Sequence, residues 1–264
     1  MLNWFFLLPY LLGVLFVILV MVVQSRFRRT TSKRIPFKGD HILGYYVGLM
    51  SSLSGITLAF ILSAAWNNHE QTREVTNQEA QVLGSIAFFG RGLPDPLGSK
   101  VVQQVQQYAQ TAIDDEWPSL ARGVYSLKLN QESARLGLTI LRYQPSNANN
   151  AALRQQLLTA FAQLRVLRGE RRLKARYQIP AEIWIFMLFA AFCILISCVM
   201  LEIEHQRFHL LQTGLIATFL TLAVVITWDL QTPFEGFSNV TDTPFSRLMD
   251  DSFVNESAWQ NLSS

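Results

Sequence analysis

Charge is scarce in this sequence. Only 16% of its 264 residues are Asp, Glu, Lys or Arg, against about 25% in ordinary soluble domains. The deficit is concentrated. Residues 1–25, 42–68, 183–201 and 210–228 contain no Asp, Glu, Lys or Arg. Each run is about long enough to cross a hydrocarbon core of roughly 30 Å as a helix. One such run fits a buried soluble helix, but four in a chain this short indicate a multi-pass membrane protein with the lipid bilayer as partner. With no Asp, Glu, Lys or Arg inside the runs, a proton-relay transporter is disfavoured, because such relays need titratable side chains at depth.

Other absences narrow the field. Cysteine occurs twice, at Cys193 and Cys198. A spacing of five sets them on different helical faces, which suggests neither a disulfide nor a metal site. There is no HExxH pair, no phosphate-cradling glycine loop and no Ser/His or Cys/His arrangement in a recognisable context, so no enzyme and no cofactor is expected. The formal charge of +3 is too small to suggest nucleic acid. It reads instead as basic clusters at membrane edges. The first run lacks a basic leader and is too long for a cleaved signal, so it reads as an uncleaved helix over about residues 4–24.

The fold class expected is an all-α membrane protein. Four transmembrane helices carry a soluble helical domain inserted between helices two and three. The divisions fall at 1–68 for helices one and two, 69–180 for the soluble helical domain, 181–228 for helices three and four, and 229–264 for an acidic tail. Pro9 lies in the first turns of helix one, where proline is tolerated. Apolar residues at Val75, Val82, Leu83, Ile86 and Phe89 give a helical stripe ending at a Gly/Pro-rich turn over 92–98. A second stripe through Val101, Val105, Tyr108, Ala109 and Ala112 stops at Trp117–Pro118. A shorter helix over 131–142, a polar linker over 143–150 and a long helix through Leu153, Leu157, Leu164 and Leu167 to about Tyr177 complete the insert. Pro180 opens helix three at a normal first-turn position.

The second run is the least greasy of the four. Small or weakly polar residues recur at Gly44, Gly48, Ser52, Gly55, Ala59 and Ser63. Steps of three or four place them on one helical face. Trp66 follows at the expected membrane boundary, and polar sequence continues without Gly or Pro. Two readings of the stripe stay open. It packs closely against a neighbouring helix, or it lines a central pore, which requires a homo-oligomer.

Other candidates have bland alternatives. Asp114, Asp115 and Glu116 are weak candidates for a divalent cation. The competing reading is a solvated helix end, or partners for Arg168, Arg171 and Arg172. Glu202, His205 and His209 have helical spacing and ligating chemistry, but an interfacial polar cluster is the simpler reading. His41 and His69 are isolated at membrane edges. No metal is expected.

Several stretches resemble a known family. Residues 59–70, AlaPheIleLeuSerAlaAlaTrpAsnAsnHisGlu, resemble the end of helix two in bestrophin channels, with Trp66 and Asn67 at its boundary. ThrProPheGluGly, containing Pro233, Phe234 and Gly236, resembles the turn after their last membrane helix. GluAlaGlnValLeu (79–83), AspAspGluTrpPro (114–118) and ArgGlyGluArgArgLeu (168–173) resemble the bacterial and plastid bestrophin-like proteins, a likeness that covers nearly the whole chain.

The resemblance implies a bestrophin-like oligomeric ion channel, a pentamer passing small inorganic ions. It also implies a bacterial plasma membrane or a plastid or thylakoid-type membrane. The pore-lining candidates are Gly44, Gly48, Ser52, Gly55, Ile56, Ala59 and Ser63. With Trp66 aligned, the aromatic constriction of animal bestrophins falls on Gly48, Ser52 and Ile56. These are mostly small, which implies a wider or differently gated pore. Gln231 stands where the relatives usually have Asp, and the calcium-binding acidic segment is not reproduced. The alternative is a non-conducting scaffold or sensor whose helical domain binds a partner protein.

Orientation draws on two conflicting signals. The connection over 26–38 and the segment over 165–176 each hold six Lys or Arg and fall on opposite sides of the membrane. The positive-inside rule, weighted to the first helix, puts the first connection in the cytoplasm. The resemblance puts the insert and tail there, and that orientation is the one expected.

Overall fold

The computed structural model describes residues 4–31, 40–200, 206–251 and 254–255. Among these there is no strand. The helices are α1 (Trp4–Thr31), α2 (Asp40–Arg91), α3 (Leu97–Thr111), α4 (Trp117–Ala121), α5 (Leu127–Arg142), α6 (Ala148–Ala175), α7 (Ala181–Met200), α8 (Gln206–Gln231) and α9 (Thr243–Met249). A π-turn, Ala112–Glu116, joins α3 to α4. The described part of α1 extends past the expected end near Gln24 through Arg26 to Thr31. No Gly or Pro interrupts that stretch, so nothing stops the hydrogen-bond ladder. The stripe of α3 does not end at Pro118 either. Proline sits in the first turn of α4, where its missing N–H has no partner to lose.

The chain forms two compact units: Met1–Asn67 with Gln178–Gln231, and Asn68–Tyr177 with Thr232–Ser264. Among the described residues, four helices are long and apolar enough to cross a membrane: α1, α2, α7 and α8. They make an integral membrane protein.

In the first unit α1 and α8 pack antiparallel. A Cβ on Gly13 would lie 2.5 Å from Cγ2 of Thr221, and one on Gly214 would lie 3.4 Å from Sδ of Met21. Glycine at both crossings lets the backbones approach, as small residues do between membrane helices. Gln24, buried, donates through Nε2 to Nδ1 of His209 at 2.9 Å and to Oγ1 of Thr213 at 3.0 Å. His209 Nε2–H donates to the carbonyl of Cys198 at 2.9 Å, joining α8 to α7. At the other end of this antiparallel pair, Trp184 and Trp228 meet edge to face with centroids 5.6 Å apart. Gln231 accepts there from the backbone N–H of Ile179 at 3.4 Å.

The second unit has a continuous apolar core. Val75, Leu83 and Ile86 of α2 meet Val101, Val105 and Tyr108 of α3, Leu129, Leu136 and Ile140 of α5, and Leu157 and Leu164 of α6. Ser126 caps α5 by accepting from the N–H of Leu129 at 3.0 Å, and Asn147 caps α6 through Asn150 at 2.8 Å. Those two caps start the helices several residues earlier than the apolar periodicity alone suggests. The acidic tail contributes α9. Phe245, Leu248 and Val254 complete the core.

Candidate functional site

Residues 40–67 of α2 belong to the first unit and 68–91 to the second. Within the first unit the helix presents three faces. Leu58, Ile61 and Ala65 are buried, and Val47, Ser51 and Ser54 are half-buried on the same side. Ser54, Thr57 and Leu58 line a small cleft together with Met187 and Ala190 of α7 and Leu220 and Val224 of α8. At about 100° per residue, the small set lies roughly a quarter to a third of a turn away from this packed side. Tyr45, Leu49, Leu53 and Phe60 lie a further quarter turn round.

All seven pore-lining candidates, Gly44, Gly48, Ser52, Gly55, Ile56, Ala59 and Ser63, are exposed in the protomer. A Cβ built on Gly44, Gly48 or Gly55 meets nothing within 4 Å. These glycines therefore permit no close helix contact inside the protomer, unlike Gly13. Ile56 sits where the small face meets the large one. Trp66 and Asn67 are also exposed. Neighbouring Asn68 donates to the carbonyl of Lys174 at 3.5 Å.

The second unit holds a charged cluster inside its core. Arg171, fully buried, donates through Nε to Glu79 at 2.7 Å and through Nη2 at 3.2 Å. The same Nη2 lies 3.7 Å from Glu116, which accepts from Arg168 at 2.8 Å. Tyr108 donates its hydroxyl to Glu79 at 2.8 Å. The Arg171 guanidinium stands 4.9 Å from the Trp117 ring centroid and 5.8 Å from that of Phe245. Burial alone would lower the basicity of Arg171, but Glu79 first and then Glu116 outweigh it and hold the group above its ordinary range. Burial, then the Glu79 carboxylate, push the Tyr108 phenol well above its usual value. Two carboxylates and two guanidiniums balance, so the cluster places no net charge in the core.

The three stretches that resemble the bestrophin-like proteins converge here. Glu79, Glu116 with Trp117, and Arg168 with Arg171 come one group from each. The turn ThrProPheGluGly joins them from the tail. Glu235 N–H donates to the Thr232 carbonyl at 3.0 Å, and Gly236 has φ +90°, a left-handed conformation that favours glycine. Phe234 meets Trp117 edge to face at 5.5 Å. The indole of Trp117 donates to the carbonyl of Val240 at 3.0 Å. Buried His69 contacts the carbonyl of Ser238 on the same segment.

The acidic triplet does not act together. Asp114 accepts from Gln110 at 2.7 Å, Asp115 takes the Ser126 hydroxyl and pairs with Lys128 at 3.5 Å, and Glu116 turns inward. The Ser126 bond, the largest influence, holds the Asp115 carboxyl below its ordinary range against the opposing effect of burial, with the nearby Lys128 adding to it. Among the described residues no three His, Cys, Asp or Glu side chains gather as a metal would need. Glu202 and His205 lie outside the described residues. His209 of that triplet is bonded to Gln24 and Cys198.

Nothing in the sequence paired Glu79 with Arg171, but a signal was present. Glu79, Glu116 and Arg171 each fall on the apolar stripe of their helix, where a solvated charge does not belong.

These features define a class: an all-helical integral membrane protein. Its second helix passes from an apolar unit into a helical unit with a charge-balanced core. The chain matches the bestrophin-like domain over residues 12–245 and belongs to the bestrophin-like family. Solved structures of a bacterial bestrophin homologue from Klebsiella pneumoniae share the fold. One variant superposes with a TM-score of 0.67 at 13% identity, covering 95% of this chain and 99% of the other. A second gives 0.66 at 13% identity with the same coverages. A form phased with zinc gives 0.65 at 14% identity over 92% of this chain and 97% of that one. No curated protein matches the chain.

Proposed function

We propose that the protein is an ion channel assembled from several copies of this chain, with the small face of α2 from each copy lining a common pore. Membership of the bestrophin-like family supports the channel class. The observation that carries the pore assignment is the open small face. Gly44, Gly48 and Gly55 have no neighbour within 4 Å of a built Cβ, while the packed face of the same helix is used by α7 and α8. Closing copies around an axis puts the small face on that axis and leaves the bulkier face of Tyr45, Leu49, Leu53 and Phe60 against the next subunit. The stoichiometry is five, by family resemblance. The second unit then continues the pore as a helical vestibule on the cytoplasmic side of a bacterial or plastid-type membrane. Small inorganic ions are the cargo. No charged side chain lies on the small face, so selectivity arises at its ends or in the vestibule.

The test is ion flux into liposomes reconstituted with purified protein, read beside the oligomer mass in detergent. The expected result is flux from a ring of about five copies, the number carried by resemblance to a family of membrane pores. It is to be abolished by Ser52→Trp or Gly55→Trp without loss of the ring. A dimer without flux would sink the proposal, as would tryptophan variants that fall apart because the face packs instead.

A further inference from the structure

We propose that Arg172 and Arg176, gathered on the ring of Tyr125, form a binding site for a phosphate group, presented by an anionic lipid headgroup or as free phosphate. The site uses no residue of the α2 face and does not depend on its role. The basic run at the end of α6 is divided by the fold. Arg168 and Arg171 turn into the core and are neutralised by Glu116 and Glu79. Lys174 donates to Gln71 at 2.7 Å. Arg172 and Arg176 go elsewhere. Their guanidinium carbons stand 3.9 Å and 4.3 Å from the centroid of the Tyr125 ring.

Two like charges are thus held against one ring, and among the described residues neither is ion-paired with a carboxylate. Asp115 is committed to Ser126 and Lys128. Glu170 lies about 200° round the helix from Arg172, on the opposite side. The helix C-terminus offers about half a negative charge, which does not offset two guanidiniums. An anion with several oxygens does. Each guanidinium presents a planar fork of donors that fits a phosphate in bidentate fashion, whereas a halide engages a fork with one atom only.

The ring is itself fixed. Tyr125 packs on the small core of Leu120, Phe234 and Val240, and the next residue, Ser126, caps α5. The arginines are therefore pre-positioned and lose little freedom on binding. Position also suits a headgroup. Five peptide steps from Arg176 to Ala181 can span at most about 18 Å, and Ala181 opens the membrane-spanning α7. Basic side chains at such a boundary are where anionic lipids are drawn.

The test uses the full-length protein in detergent, comparing wild type with R172Q/R176Q. In one arm, native mass spectrometry counts retained phosphatidic acid against phosphatidylcholine. In the other, inorganic phosphate is titrated against thermal stability at constant ionic strength set with chloride. Loss of charge-assisted hydrogen bonds should weaken binding about tenfold in the double variant. Tyr125→Leu should weaken it less, and Tyr125→Phe should leave it unchanged. Selective retention of phosphatidic acid with no response to phosphate assigns a headgroup site. A saturable response to phosphate without lipid selectivity assigns a free-phosphate site. Equal binding by wild type and a folded R172Q/R176Q, in both arms, overturns the proposal. So does chloride replacing phosphate with equal effect. If the double variant does not fold, the exposed Arg176→Gln alone carries the comparison under the same criteria.

Discussion

The two units each bury polar groups, and they do so differently. The first unit uses neutral partners: Gln24, His209 and Thr213 bridge α1 and α8, and the Cys198 carbonyl ties in α7. The second uses full charges: Glu79, Glu116, Arg168 and Arg171, with Tyr108 as a neutral fifth member. The difference follows from the surroundings. In a bilayer an ion without a partner has no water to fall back on, so neutral hydrogen bonds are the safer tie. In the second unit the ions come from separate helices and lie outside the four charge-free runs. The second solution is specific but exposed to sabotage, since removing one ion strands another.

The largest break in this comparison is Arg171→Met. It leaves Glu79 and Glu116 short of a cation in a dry core, and breaking a buried pair costs about 3–5 kcal/mol. The expected outcome is a fall of many degrees in the thermal midpoint of the purified protein, or no folded protein at all. A midpoint within a degree or two of wild type would show that the cluster is hydrated.

Tyr108→Phe is gentler, because Glu79 keeps Arg171. Loss of one hydrogen bond to a charged acceptor should cost about 1.5–3 kcal/mol. Its pH dependence is the sharper signature. Tyr108 holds its proton above the ordinary value of 10.0 in the folded chain. The unfolded chain therefore ionises first, and the contribution of Tyr108 is present below pH 10 and lost as the pH rises beyond it. Alkaline unfolding of wild type should steepen above that pH relative to Tyr108→Phe. Equal slopes would contradict the buried phenol.

Gln24→Leu in the first unit should matter least. Hydrogen bonds between membrane helices average about 0.6 kcal/mol. A small drop in thermal midpoint with unchanged oligomer size is expected. A loss as large as that of Arg171→Met would erase the distinction between the two units.

Much of the fold was legible because its signals are local. Charge-free runs mark α1, α2, α7 and α8, and apolar spacing marks α3, α5 and α6. Trp66 and the uninterrupted polar sequence after it announced that α2 would continue. What escaped needed either topology or a short-range exception. Glu79 and Arg171 lie on different helices far apart in the chain, so no spacing rule joins them. The wide turn over Ala112–Glu116 sends three successive acids in three directions. α9 is only seven residues long and begins with Thr243–Pro244, a stretch too short for periodicity to register. The face of α2 was readable as a stripe, but whether glycine there admits a neighbour is decided by the fold. Gly13 has one and Gly48 does not.

The part played by α9 bears on the order in which the protein can be made. Leu248 comes within 3.3 Å of where a Cβ on Gly84 would stand, and Phe245 is fully enclosed. The carbonyl of Val254 receives Gln106 Nε2 at 2.6 Å. All three follow the last membrane helix in the chain. A ribosome that has released α2, α3, α5 and α6 has therefore released a core still lacking one wall. That wall is synthesised only after α7 and α8, so the core of the second unit is the last part of the fold to be completed. A chain stopped after Gln231 would leave Gly84 without Leu248, Trp117 without Phe245 and Gln106 without the Val254 carbonyl.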